Sequence, residues 1–227
     1  MSNICCIVEG QTEQTFIREV LAPFLGDRGC YLQARLIGSP GHKGGSVTFP
    51  RFAHDAEILL RQNYYHYVST MLDYFRLDAA WPGMDRICQA KNTGRVLTPS
   101  TIEAILSKAT KEALDCCLAD FDVKNRIIPY FSMHEFEALL FSNVSAIESI
   151  LSLTEHTLDS TLQAFGDDPE KINTNPDKAP SKILLQTYVP YKKILHGCRI
   201  AKSIGIPRIR EKCSCYDAWI TTLLEKP

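Results

Sequence analysis

Carboxylates stand at the ends of three of the four strands that hydrophobic patterning predicts. Glu9 follows the apolar run Ile4–Val8, Asp73 follows Tyr67–Leu72, and Glu135 with Glu137 follow Ile127–Met133. Glu13 lies one helical turn beyond Glu9. Parallel strands of one sheet end on the same side, where open α/β sheets place their ligand sites. Acids distant in the chain would then share one crevice. Hard divalent cations take oxygen ligands of this kind, with water or phosphate completing the shell. Without a cation, such neighbours raise one another's pKa. A single acid after a strand is ordinarily a loop residue or a helix cap, and Glu13 suits a helix first turn without any metal. On pattern alone, both metal binding and capping stay open.

The elements that must position these acids alternate along the chain. Short apolar runs bounded by polar residues read as buried strands, and 3.6-residue periodicity reads as helix. The spacing predicts a strand at Ile4–Val8, a helix at Thr12–Leu25, a strand at Tyr31–Ile37 and a helix from about Phe49 to Gln62. A third strand covers Tyr67–Leu72, Tyr74 to Thr98 reads as irregular, and Thr98-Pro99 opens a long helix to about Leu118. The fourth strand, Ile127–Met133, leads into a helix beginning at His134. Beyond Ser142 only helical periodicity remains, at Ser145–Leu153, Thr157–Phe165 and Lys182–Ile204, and the polar stretch Gly166–Pro180 reads as loop. The expected fold is α/β: a small parallel sheet flanked by helices over residues 1–142, then a helical region over 143–227 that packs on or completes the core.

Composition limits the function classes. The 227 residues carry a net charge of −1 and are 45% hydrophobic, so an ordinary globular core is expected and no global field draws nucleic acid. Lys192, Lys193, Arg199, Lys202, Arg208, Arg210 and Lys212 nevertheless bias the C-terminal region towards positive charge. Solvated helix faces explain them ordinarily; with Tyr188, Tyr191, Tyr216 and Trp219 among them, a nucleic-acid groove is the other reading. Nine cysteines fall at core and helix positions rather than in a disulfide framework, which points to a reducing compartment. No signal peptide and no membrane-length apolar run is visible, and the expected location is the cytoplasm.

Other candidates are weaker. His134, beside Glu135, would serve as acid, base or supporting donor if it is not a core residue. The Gly38–Ser46 loop, with His42 and Lys43, is not a Walker motif, though its glycines could admit a phosphate; a plain loop is the simpler reading. Cys213, Cys215, Cys198 and His196 have poor spacing for structural zinc.

Val8-Glu9-Gly10-Gln11-Thr12-Glu13 resembles the glutamate motif of Toprim domains, in the form seen in overcoming-lysogenization-defect (OLD) nucleases. Nearly the whole chain is similar to the family called domain of unknown function 4276. The residues that carry this likeness are the same hexapeptide, Met71-Leu72-Asp73-Tyr74-Phe75, Met133 to Phe141, Ala179-Pro180-Ser181-Lys182, and the stretch from Gly197 to Trp219. The resemblance implies a Toprim-like (Rossmann-like) fold and a Mg²⁺- or Mn²⁺-dependent nuclease acting on DNA or RNA. Glu9 and Glu13 would be ligands, Asp73 the first acid of an Asp-x-Asp pair, and Glu135 and Glu137 would complete the site. Phe75 stands where the second aspartate would be, and a phenyl ring cannot ligate a cation. Lys182 would stabilise the transition state beside Glu9, with His134 also in the catalytic set. Nucleases of this kind commonly work with an ATPase of the AAA or ABC type in defence against phage. This chain has no Walker motif, so the ATPase would be a separate protein. The rival reading is a non-catalytic Toprim-like subunit that binds nucleic acid or such an ATPase.

Overall fold

The computed structural model describes residues 2–38, 47–172 and 179–226. Most of the expected Gly38–Ser46 loop, including His42 and Lys43, and part of the Gly166–Pro180 stretch lie outside the described residues. Strand β1 (Ser2–Val8) leads into α1 (Gln11–Phe16), which continues through a π-helical turn at Ile17–Leu21 into α2 (Ala22–Gly26). Next come β2 (Cys30–Leu36), α3 (Phe49–Arg61) and β3 (Tyr67–Asp73). All ladder pairs are parallel, in the order β2-β1-β3 and then β4 (Ile127–Ile128), while β5 (Phe131–Ser132) extends the same edge of β3. The chain is α/β, a small parallel sheet flanked by helices.

Alternation along β1 assigns its side chains to two apolar layers. Ile4, Cys6 and Val8 face α1, the π turn and the C-terminal helices; Cys5 and Ile7 face α3 and the helices after β3. Each layer is fully buried at its centre, and the adjacent cysteines act as small hydrophobes on opposite faces. All nine cysteines are free thiols.

The expected irregular stretch from Tyr74 contains a short 3₁₀ turn at Tyr74–Arg76 and a helix, α4 (Met84–Asn92). Its one fully buried residue is Ile87, so the apolar period that would announce a helix is missing. Helix α5 (Pro99–Cys117) begins as predicted, with the Thr98 hydroxyl accepting from the Thr101 N–H. The short α6 (Val123–Arg126) then enters the fourth strand. That strand is two pieces rather than one, because Pro129 has no N–H to give the ladder. The Thr70 hydroxyl bridges the break, donating to Tyr130 O at 2.9 Å and accepting from Tyr130 N at 2.8 Å.

The helix expected from His134 is a 3₁₀ segment, Phe136–Ser142, entered through Glu135. Beyond it lie α7 (Val144–Leu151), α8 (Asp159–Gln163), a 3₁₀ turn at Pro169–Lys171 and α9 (Pro180–Thr187). The single helix expected over Lys182–Ile204 is interrupted after Thr187, where Pro190 bars continuation and disfavours a helical Val189. It resumes as a π turn at Lys193–Gly197 and α10 (Cys198–Ile204), followed by α11 (Ile206–Lys212) and α12 (Ser214–Leu224). The residues on either side of position 142, Phe141 and Val144, share one apolar layer with β1 and with Ile220 and Leu223 of α12. Trp219 of α12 reaches the sheet itself: its ring stacks on Tyr130 at 4.5 Å and its Nε1–H donates to Ser69 Oγ at 2.9 Å.

Candidate metal centre

The parallel register brings the strand-end acids to one edge. Val8, the last residue of β1, pairs with Met71 of β3, and Asp73, the last of β3, pairs with Ser132 of β5. Glu9 therefore leaves β1 close to where Asp73 leaves β3. Glu13 is turned back by α1, where its carboxylate accepts the Gly10 N–H at 3.1 Å. A Cβ at Gly10 would meet that carboxylate at 2.9 Å, so any larger residue there would push the Glu13 carboxylate aside. The 3₁₀ segment is drawn to α1 by Phe136 against Phe16, at 4.9 Å between ring centroids, which brings in Glu135 and Glu137.

Two cations from distant segments enter the same crevice. Arg76 lies 3.5 Å from Glu9 and 3.7 Å from Glu135. Lys193 lies 3.2 Å from Glu135 and 3.5 Å from Glu137. Gly197 lets the π turn that carries Lys193 sit close to the 3₁₀ segment, since a Cβ there would stand 3.1 Å from the Phe136 ring. Tyr191 donates to Glu137 at 3.5 Å. Neither Arg76 nor Lys193 was singled out as a site residue by sequence. Arg76 directly follows Phe75, and Lys193 is one of the basic residues otherwise explained as a solvated face.

The acids remain under-neutralised. Burial pushes the Asp73 carboxyl well above its ordinary range, and the charges of Glu13, Glu9, Glu135 and Glu137 add to it. Burial raises Glu9 to about 7 and Glu137 to about 7, with Arg76 and Lys193 opposing in part. Glu13 is raised by burial as well. Glu135 is the exception. Burial pushes it up, but hydrogen bonds from Ser181 and the charge of Lys193 outweigh that and hold it below the usual carboxylate value. Glu9 Oε2 is buried with no hydrogen-bond partner.

His134 is buried and its Nδ1 has no hydrogen-bond partner. Its ring stacks on Phe75 at 5.3 Å and 19°. Burial lowers its pKa to about 4, so it is neutral near pH 7. Lys182 is exposed on the first turn of α9, one residue past Ser181, whose N–H donates to Glu135 at 3.2 Å. Cys198, Cys213 and Cys215 are buried thiols whose pKa values burial pushes up.

The donor set fits a hard divalent cation in its chemistry: oxygen ligands only, more negative charge than Arg76 and Lys193 neutralise, and an orphaned carboxylate oxygen on Glu9. Among the described residues, no three acidic, imidazole or thiol side chains are gathered tightly enough to hold a metal ion as they stand. Binding one calls for carboxylates to turn away from Arg76 and Lys193.

No curated protein matches this chain. Among solved structures it is similar to the C-terminal region of the Burkholderia pseudomallei OLD protein, with 17% identity and a TM-score of 0.43 over 98% of this chain and 99% of that one. Among the described residues, no helix is long and apolar enough to cross a membrane. A family model matches residues 8–224, and the chain belongs to that family, described as Domain of unknown function (DUF4276).

Proposed function

We propose that the protein is a metal-dependent nuclease that hydrolyses phosphodiester bonds of DNA or RNA. One observation carries the reading: Asp73 is buried among the charges of Glu9, Glu13, Glu135 and Glu137 at the edge where the strands end. A scaffold gains no stability from converging like charges, whereas a cation site requires them. Glu9, Glu13, Asp73, Glu135 and Glu137 would hold Mg²⁺ or Mn²⁺. When bound, the ion would polarise the phosphoryl oxygen and lower the pKa of the attacking water.

The chain's own groups supply the rest. Carboxylates that turn to ligate release Arg76 and Lys193, whose charges then face the phosphate and stabilise the negative charge developing on it. Lys182, at the rim, adds a further cation. His134, beside Glu135 in sequence, stays neutral near pH 7 with its pKa lowered to about 4 by burial, so it suits a supporting place under the Phe75 ring better than proton transfer. Lys192, Lys193, Arg199 and Lys202 line one open groove with Thr12, offering a track for the phosphate backbone. A separate AAA- or ABC-type ATPase would be the partner, in a bacterial anti-phage or DNA-maintenance system, and nine free thiols suit a cytoplasmic location.

The ion pairs to Arg76 and Lys193 favour a second reading, in which these cations replace the metal and the protein is a non-catalytic subunit. Incubating plasmid, single strands and transfer RNA with the protein and Mg²⁺ or Mn²⁺ separates the two, with and without a candidate AAA- or ABC-type ATPase. Cleavage lost in Glu9→Ala and Glu135→Ala is expected. Intact substrates under every condition would leave the second reading standing.

A further inference from the structure

Phe75 is more than half exposed, at 55%. A single exposed aromatic ring is ordinary on a protein surface; Phe75 is distinguished by what backs it. Its inner face is held: the ring lies nearly parallel to His134, and Tyr74 supports its edge at 4.9 Å. The histidine beneath is itself buried, with Nδ1 unpartnered. An exposed ring backed by a stacked, buried ring is a rigid platform with one free face.

The platform opens on a cavity of about 670 Å³, lined also by Tyr74, Lys91, Leu97 and Met133. Pockets of roughly 300–1,000 Å³ take small organic ligands, a size class that admits a base. The Lys91 ammonium stands in this lining, held 3.0 Å from the Tyr74 hydroxyl. The cavity and the carboxylate crevice share one chain segment. Tyr74 and Phe75 lie between Asp73 and Arg76, and His134 is bonded to Glu135. A strand whose phosphate faces Arg76 would place its next base at Phe75.

We infer that Phe75, stacked on His134, is a base-stacking subsite that selects single-stranded or unpaired nucleic acid as the substrate. The inference rests on the nuclease reading and adds a substrate class to it. A base inside a duplex is already stacked on both faces and cannot offer one to Phe75, whereas an unpaired base can. Stacking is tolerant of base identity, so the subsite selects strandedness rather than sequence. Phe75 is also the position that lacks the aspartate of the Toprim pattern, and the ring gives that departure a function.

The test measures binding of labelled oligothymidylate and oligouridylate, and of a blunt duplex of each, in Ca²⁺. Phe75→Ala should weaken single-strand binding roughly 5- to 150-fold, the range for loss of one stacked base, and leave duplex binding unchanged. Phe75→Trp should retain affinity, and its indole fluorescence should fall as strand is added. One abasic position should weaken binding to the wild type and have no added effect in Phe75→Ala. The two strand types show whether DNA, RNA or both are accepted. The inference is overturned if Phe75→Ala binds single strands like the wild type, or if only binding of a protein partner is lost. Strands bound through Phe75 but never cleaved would refute the nuclease reading alone. Strands cleaved without regard to Phe75 would refute the subsite alone, and failure to bind any strand would refute both.

Discussion

Replacing Glu9 with glutamine should stabilise the cation-free protein while removing its response to divalent cations. The carboxyl of Glu9 rises from 4.5 to about 7, through burial first and then its acidic neighbours. At about 1.4 kcal/mol per factor of ten in acidity, the ionised form carries a penalty of about 3 kcal/mol in the fold. The side chain is only 14% exposed, so solvent screens little of this. A folded pKa above the unfolded one means stability that is complete below about 4.5 and is lost as pH rises through about 7. Glutamine keeps the shape and carries no charge, so the variant should match the wild type near pH 4 and exceed it at pH 8. Its gain cannot exceed about 3 kcal/mol, and Arg76, 56% exposed, relaxes into water when its partner is neutral. At about 2–4 °C per kcal/mol for a chain of this size, the melting temperature in EDTA should rise at pH 8, by no more than roughly 6–12 °C. Mn²⁺ should then raise the wild type, by about 2.7 kcal/mol at a concentration a hundred times Kd, and leave Glu9→Gln unmoved. A variant less stable than the wild type at pH 8 in EDTA would refute the electrostatic argument. Equal Mn²⁺ shifts in both proteins would refute the role of Glu9 as a ligand.

Lys193→Met strips the counter-charge from Glu137, which is 1% exposed, and should cost about 1–2 kcal/mol at pH 8, reduced from a fully buried pair because Lys193 is 39% exposed. The loss should shrink at pH 5, where Glu137 is protonated, as thermal melts at the two pH values would show. Glu170 accepts from Ser214 Oγ, Cys215 N and Tyr216 N at 3.2, 2.9 and 3.0 Å and so caps α12. Glu170→Ala should cost about 2–4 kcal/mol in urea unfolding, with Glu170→Gln intermediate. Trp219→Phe removes the bond to Ser69 and keeps the stack on Tyr130, for about 1 kcal/mol, while Trp219→Ala should cost about 3–5 kcal/mol by the same measurement.

The sheet was legible because parallel strands buried on both faces are written as continuous apolar runs, as in Ile4-Cys5-Cys6-Ile7-Val8. Helices α3 and α5 were legible from a full 3.6-residue apolar period, as at Phe52, Ala56 and Leu59. Legibility failed where local chemistry overrode the pattern. Pro129 splits an apolar run that reads as one strand, and the repair by Thr70 comes from 60 residues away in sequence. Met84–Asn92 is helical with one fully buried residue, so its start is set by Gly83 in a left-handed conformation, close enough to α5 that a Cβ there would stand 3.1 Å from Ala109. Glu170 sat in a stretch read as polar loop, yet it is buried because three donors at the start of α12 require an acceptor there.

The crevice divides in the same way. Its acids were visible because each lies at a strand end or within two residues of a helical start, where position alone implies direction. Its bases were not, because their positions depend on packing. Lys193 reaches Glu135 only because Pro190 ends one helix, a π turn begins the next, and Gly197 lets that turn close on Phe136. No periodicity in the sequence encodes that approach. Arg76 is aimed by a single 3₁₀ turn after β3, too short to leave a pattern. Sequence therefore reveals the acids of such a crevice and overstates its net charge. The folded crevice holds five carboxylates against two cations; protons resolve that imbalance, smaller than the sequence implied, at low pH, and under the proposed function a divalent cation would do so at high pH.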